Sequence, residues 1–308
     1  MLSYYVIPFF LVVNVPSPPY YEDVSPEYTF VAQLATTAIL NNQMNPPPNR
    51  RTVTIEFKCR TYQLNALLCR KEKHKQYPSK MPTLVNIDDS YKKNLFQIRF
   101  NDNGVTDYAV ERTDDNTMDF MLNMYRLLGS QFSVGVELDV SKEYLTFESI
   151  EQSVIGKCST NFEVSHMRIK NQTRILHENV TLTHENYFFE EKETIYISKE
   201  RYAPFCETTS SYMFGNNFWS EFIPNDISEE IISSHSLMTL SKHNFQSKTQ
   251  NTFKLYDQNM TLIGNAVESV EVFLKSILPP EDFPSRIFLK PIVAGVIAEG
   301  SISNIDSQ

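Results

Sequence analysis

Phe96-Gln97-Ile98-Arg99-Phe100 runs into Asn101-Asp102-Asn103-Gly104 and out again through Val105-Thr106-Asp107-Tyr108-Ala109-Val110. The outer segments alternate apolar and polar residues, the pattern of half-buried strands. The Asn/Asp/Gly cluster between them supplies left-handed backbone at little steric cost, so the unit reads as a β-hairpin. Just beyond it the period changes. Phe120, Met121, Met124, Tyr125 and Leu128 recur at three-four spacing, between a cap at Asn116 or Thr117 and a closing Gly129. One amphipathic helix, Thr117 to Gly129, is therefore expected against or inside a curved sheet.

Working outward, Thr52-Val53-Thr54-Ile55-Glu56-Phe57-Lys58 alternates strictly and reads as a strand. After a polar turn around Tyr62 to Asn65, Ala66 to Cys69 returns antiparallel, and a turn centred near Leu64 sets Cys59 opposite Cys69. A cross-strand disulfide and two unpaired thiols are both open there. Further strands are expected at Tyr144 to Phe147, Asn161 to Val164, Thr194 to Ser198, Ser236 to Leu240 and Thr252 to Tyr256, whereas Val267 to Leu278 fits both the strand and the helix template. From Pro279 the chain becomes Pro-rich and passes through Pro291 to Ala298 to a polar end, which reads as an irregular boundary segment, 279–308.

Composition agrees with an all-β class. The 21 Phe and 16 Tyr favour pleated, half-buried surfaces, and the 8 Gly are too few for phosphate-cradling loops to be expected. Leu2 to Val15 is apolar but shorter than the roughly 20 residues a spanning helix needs, so it reads as part of a signal peptide over 1–17, with the domain following over 18–278. Without a basic n-region, and with Pro18-Pro19 after Ser17, the cleavage point stays open; a buried first strand is the alternative reading. Sequons at Asn171, Asn179 and Asn259 and an even set of cysteines (Cys59, Cys69, Cys158, Cys206) suit a secreted, extracellular protein with disulfides. No cysteine pair has the tight spacing of a thiolate metal site, and no cofactor is implied.

The order of these features resembles the vitellogenin N-terminal domain of the large lipid transfer protein family, and the insect members most. Phe96-Gln97-Ile98-Arg99 with Gly104, then Phe120, Asn123 and Gln131, carry the first part of the likeness. Phe147, Glu151, Ser153-Val154, Gly156-Lys157-Cys158, Arg201 to Cys206 and Leu255-Tyr256-Asp257 carry the rest, over roughly Tyr28 to Leu278. Phe120 stands where Trp is common, and Cys59 and Cys69 have no evident counterparts. The resemblance implies a mainly β fold, a large antiparallel, barrel-like sheet wrapped around one central helix. It also implies a Cys158–Cys206 disulfide, a lipid-transport and nutrient-reservoir (yolk storage) function, and recognition by a vitellogenin receptor of the low-density-lipoprotein receptor class.

Such receptors present acidic modules that grip lysine, and the chain has a cationic window to offer. Arg50, Arg51, Lys58, Arg60, Arg70, Lys71, Lys73, Lys75 and Lys80 stand against two Glu, leaving that window at +7 and the rest of the chain at −16. A contrast of this size steers charged partners, whereas phosphate backbones would be repelled by the remainder, so no nucleic acid is expected. The competing reading is a solvated hairpin whose lysines discourage edge pairing. Two functions follow: a secreted family domain that binds a receptor and lipid, or a free-standing extracellular interaction module without lipid cargo. An enzyme is not expected, because there is no G-x-S-x-G, H-E-x-x-H, glycine-rich loop or C-x-x-C. His177 and His184 fall on opposite faces if their segment is a strand, which argues against a shared metal site.

Overall fold

The computed structural model describes residues 27–41, 49–62, 66–77, 95–101, 104–111, 118–136, 143–168, 183–184, 187–188, 193–209, 227–241, 244–278 and 289–293. The strands are β1 (Glu27–Leu40), β2 (Asn49–Tyr62), β3 (Ala66–Tyr77), β4 (Leu95–Asn101) and β5 (Gly104–Glu111). Helix α1 (Met118–Ser130) comes next, then β6 (Tyr144–Ser153), β7 (Gly156–Arg168), β8 (Thr183–His184) and β9 (Tyr187–Phe188). β10 (Glu193–Thr209), β11 (Ser228–Ser241), β12 (Asn244–Tyr256), β13 (Leu262–Leu278) and β14 (Leu289–Val293) complete the described elements.

β8 and β9 pair only with each other, and the other twelve strands form one sheet in the order β14-β5-β4-β3-β2-β1-β13-β12-β11-β10-β7-β6. Every ladder is antiparallel. β14 and β6 end the order without pairing to each other among the described residues, so the barrel-like sheet is not closed.

The period-two pattern is what sorts the faces. On β2, Val53, Ile55, Phe57 and Cys59 are buried, and the residues between them are half-buried. On β1, Phe30, Ala32, Leu34 and Ala38 turn the same way. Phe30 lies opposite Phe57, their ring centroids 5.6 Å apart. Just past the helix, Phe132 inserts its ring 5.0 Å from Phe30 and 5.6 Å from Phe245, while Tyr125 stacks on Phe96 at 4.0 Å. Burying such a ring contributes about 1.5–3 kcal/mol, so this aromatic cluster anchors the helix to the sheet.

Met124, Tyr125, Leu127 and Leu128 form the buried face of α1. Phe120, Met121 and Asn123 belong to its first two turns, and their side chains lie outside what is described. The helix closes through short bonds, Gln131 N–H to the Leu128 carbonyl and Phe132 N–H to the Gly129 carbonyl, which satisfy carbonyls left over at a C-terminus. At Gly129 a Cβ would run into the Tyr108 ring, so the end of the helix sits directly on β5. Tyr108, itself buried, donates its hydroxyl to the Arg126 carbonyl at 3.2 Å. Tyr108→Phe is expected to lower stability by about 1 kcal/mol, the net worth of one buried neutral hydrogen bond. A urea titration in which the midpoint does not move would show that water replaces the bond.

Two ambiguous stretches resolve. Val267 to Leu278 is strand, part of β13, because pairing on both sides with β1 and β12 commits it to alternation: Ala266, Glu268, Val270, Val272 and Leu274 are all buried. Within 279–308, read as irregular, residues 289–293 add a strand to β5, with Pro291 opposite Ala109. An edge strand tolerates proline because one side of it needs no N–H donor.

Candidate functional site

The cationic window maps onto the β2–β3 hairpin, but its members do different things. The ladder register sets Glu56 opposite Lys73 and Phe57 opposite Lys71, so Glu72 is an extra residue on β3, a bulge. Lys71 therefore shares the inner face with Cys69 and is only 7% exposed. The expectation that it belongs to a solvent-facing patch is corrected: the register before the bulge turns it inward. Lys58 pairs with Glu27 at 3.0 Å, and Arg70 pairs with Glu27 at 3.5 Å and with Glu72 at 2.5 Å. The Glu27 side chain is fully buried between them. Arg60 is half-buried.

At the other end of the hairpin, pairing of Thr52 with Tyr77 and of Thr54 with Lys75 gathers Arg50, Arg51, Lys73 and Lys75 within a few residues of one another along the ladder. Their side chains, and Lys80 as a whole, lie outside the described residues. The window thus divides into a turn end, where Lys58, Arg70 and Lys71 are held in the fold, and an open end.

Cys59 is bonded to Cys69 and Cys158 to Cys206, and no free cysteine remains. Cys59–Cys69 crosses one ladder rung in the core. Cys158–Cys206 joins β7 to β10 where pairing resumes after a gap that follows Arg201. Of the three sequons, Asn259 is exposed in the turn between β12 and β13, where the Asp257 carboxylate accepts from the Asn259 and Thr261 amides at 2.9 and 2.8 Å. Asn171 and Asn179 lie outside the described residues. No described helix is long and apolar enough to cross a membrane.

The most developed polar constellation is inside the sheet. Glu151 on β6 accepts from Lys199 Nζ at 2.7 Å and from Arg201 Nε and Nη2 at 2.7 and 2.6 Å, and all three side chains are almost completely buried. Lys199 also donates to the Ser133 carbonyl at 2.9 Å, beyond the end of α1. Arg201 Nη1 donates to the Ser234 and Ser236 hydroxyls at 3.3 and 3.0 Å. Ser236 bonds Thr249 at 2.9 Å, and Thr249 and Ser247 donate to the side-chain amide oxygen Oε1 of Gln131 at 3.1 and 3.0 Å. Four strands and the turn after the helix are thereby stitched together.

Burial alone would push the Glu151 carboxyl up, but Arg201 and Lys199 outweigh it and hold the group below the usual carboxylate range. Burial lowers Lys199 to about 8, against the opposing pull of Glu151. Gly135, at φ +85°, lets the backbone after the helix pass against Glu151, whose side chain a Cβ there would strike. Beside the network is a cavity of about 60 Å³, whose lining includes Arg126, Ser130, Ser153, Arg201, Ser234 and Thr249.

Glu151 and Gln131 entered the sequence reading only through a family likeness; Lys199 and the serines opposite it were not singled out. A signal existed. Ile195, Ile197, Lys199 and Arg201 occupy one period-two register of β10, and all are buried, so the apolar face runs without a break into two charges. A charge in a core register asks for a buried counter-charge, which sequence spacing could not supply, since Glu151 is 48 residues from Lys199.

Residues 48–261 match the family model described as the vitellogenin N-terminal domain. Among solved structures, lipovitellin, described through its lipid–protein interactions, superposes with a TM-score of 0.56 at 11% identity, over 91% of this chain and 28% of that one. A Nostoc punctiforme protein of unknown function aligns at 6% identity over 78% of this chain and 94% of its own, with a TM-score of 0.10 that carries no argument. No curated protein sequence matches. This chain therefore spans little more than a quarter of the lipovitellin chain whose fold it shares. The family match extends over more than half of the 308 residues, and the chain belongs to the vitellogenin N-terminal domain family.

Proposed function

We propose that this chain is a secreted, non-catalytic domain of the lipid-transport class that acts by binding, its receptor contact being the open end of the β2–β3 hairpin. The observation that carries the reading is the gathering of Arg50, Arg51, Lys73 and Lys75 at that end, on a chain whose remainder is strongly acidic. The partner class is a receptor with acidic, lysine-gripping modules of the low-density-lipoprotein receptor type. Two disulfides and an exposed Asn259 sequon support passage through an oxidising, glycosylating compartment. Likeness to lipovitellin supports lipid as a second ligand. The inner cavity of about 60 Å³ is too small for an acyl chain, so lipid would sit outside the described core.

The receptor test has to spare the fold. Arg70 is tied to Glu27 and Glu72, and Lys71 is buried, so reversing either would confound binding with folding. Lys73→Glu with Lys75→Glu is the cleaner pair. Affinity for an acidic-module receptor ectodomain should fall roughly tenfold, mostly through a slower, less salt-sensitive on-rate. Unchanged affinity, with the fold checked by circular dichroism, would sink this contact. Native mass spectrometry of the purified chain then separates the two functional readings. Near-stoichiometric lipid supports a carrier; lipid-free protein that still binds receptor supports the interaction module.

A further inference from the structure

β6 ends the strand order on one side, and its outer edge has the form of a template for another strand. Its pairing with β7 runs from Tyr144 opposite Ser165 to Ser153 opposite Gly156 without a bulge. Two bonds fix which way the backbone groups turn. Lys157 N–H donates to the Thr208 hydroxyl on β10, and His166 N–H donates to the Glu143 carbonyl just before β6. Successive residues of a strand turn their N–H and C=O groups to opposite sides. The even-numbered residues of β7 therefore face β6 and bond its odd-numbered residues. Tyr144, Thr146, Glu148, Ile150 and Gln152 turn their backbone groups the other way, to a side where β6 has no neighbour among the described strands.

Natural sheets blunt such edges with proline, lysine, bulges or a covering element. The strand at the other end of the order carries Lys290 and Pro291. β6 has neither residue type in its 10 residues, and its ladder is unbroken. Large apolar side chains flank the open backbone instead. Tyr144 is 59% and Ile150 52% exposed, while Leu145 and Phe147 on the opposite face are half-buried. The Phe147 ring stacks on Phe162 of β7 at 5.0 Å, so an aromatic row stops at this edge.

The sequence of the strand suits a second copy of itself. A two-fold axis pairs β6 antiparallel with its copy, and the axis passes at one residue. Placed at Phe147, it sets Tyr144 opposite Ile150 of the second copy, Leu145 opposite Ser149, Thr146 opposite Glu148 and Phe147 opposite itself. Aromatic against β-branched, twice, and aromatic against aromatic are the cross-strand pairs that stabilise a sheet. Placed at Glu148, the axis would bring two carboxylates face to face, which is destabilising.

We propose that β6 is a self-association edge, through which two copies of this chain join their sheets antiparallel about Phe147. About eight main-chain bonds form across the axis, two for each pair of edge-facing residues from Tyr144 to Ile150. The interface uses no residue of the β2–β3 hairpin, from which β6 is separated in the strand order, and it does not depend on the receptor reading.

Sedimentation velocity of the full chain over roughly 1–200 µM should show a monomer–dimer equilibrium that stops at two, because a two-fold interface is closed. Thr146→Pro removes an outward N–H and leaves the bonds to β7 intact, and Ile150→Lys sets a charge on the edge. Each should weaken dimerisation by about tenfold or more. Leu237→Lys, at an exposed apolar residue of β11, should leave it unchanged. The register has its own readout, since all four native cysteines are bonded. Phe147→Cys should cross-link two copies under mild oxidation, whereas Ser149→Cys should not, its two Cα atoms being roughly 14 Å apart and beyond disulfide reach. A wild-type chain that stays monomeric over this range overturns the proposal, whether or not the variants fold. A dimer indifferent to Thr146→Pro and Ile150→Lys uses another surface and overturns it too. Assembly that continues past two would mean β6 pairing with β14 of the next copy, and refutes the closed dimer. Cross-linking at 149 in place of 147 overturns the axis at Phe147.

Discussion

Glu151→Ala is expected to destabilise the domain by about 3–5 kcal/mol, the usual result of removing one member of a buried ion pair. The magnitude follows from what is left behind. Lys199 and Arg201 would remain in the core with no carboxylate, and their combined hydrogen bonds to Ser133, Ser234 and Ser236 cannot neutralise two charges. Urea unfolding should show a lower midpoint at unchanged slope. The triple replacement Glu151→Leu, Lys199→Met, Arg201→Met should recover most of the loss, because apolar side chains of similar volume often match or exceed a buried ionic cluster in stability. A single Glu151→Ala within 1 kcal/mol of wild type, an arbitrary but strict margin set at about the worth of one ordinary hydrogen bond, would mean that water reaches the network. Acid has a related effect whose sign is fixed. The Glu151 carboxyl is held below its ordinary value in the folded state, so its contribution is complete above the usual carboxylate range and disappears as pH falls through the depressed value.

Cys158→Ala with Cys206→Ala is expected to cost about 4 kcal/mol on the loop-entropy model, and the matching Cys59→Ala, Cys69→Ala pair about 3 kcal/mol before any cavity penalty. The difference comes from loop length, since the first bond spans 48 residues and the second 10. Position adds to the argument. Pairing of β7 with β10 breaks after Arg201 and resumes only at Cys206 opposite Cys158, so this bond holds a ladder that hydrogen bonding alone leaves interrupted. Cys59 and Cys69, by contrast, sit on a continuous hairpin that β1 and β4 flank, and their ladder partners persist without the bond. Denaturant unfolding of the two double variants decides it. If loss of the long-range bond is the milder change, the segment from Tyr202 to Phe205 is held by contacts other than the disulfide.

The cationic hairpin shows how far charge counting goes. Nine basic residues in one window are legible in composition, and a directional field is a fair inference from them. Which of those residues can meet a partner is a matter of parity and register. Alternation from Cys69, in unbroken register up to the bulge at Glu72, decides that Lys71 faces the core, and a buried Glu27, about thirty residues before Lys58 in sequence, claims Lys58 and Arg70. The same holds for the inner cluster: Lys199 and Arg201 fall in the apolar register of β10, yet the carboxylate between them arrives from β6, across β7.

Local chemistry was enough to determine the strand class, the hairpin around Asn101 to Gly104, the one helix among the described residues with its apolar stripe, and the register that sets Cys59 opposite Cys69. Each depends on residues near one another along the chain, where period, turn propensity and capping act directly. Only the tertiary structure decided that β1 lies between β2 and β13, that Leu289–Val293 returns to β5, and that Glu151, Lys199 and Arg201 meet. Those outcomes rest on pairing between distant strands, where many registers satisfy the same alternation and the burial of one whole face selects among them.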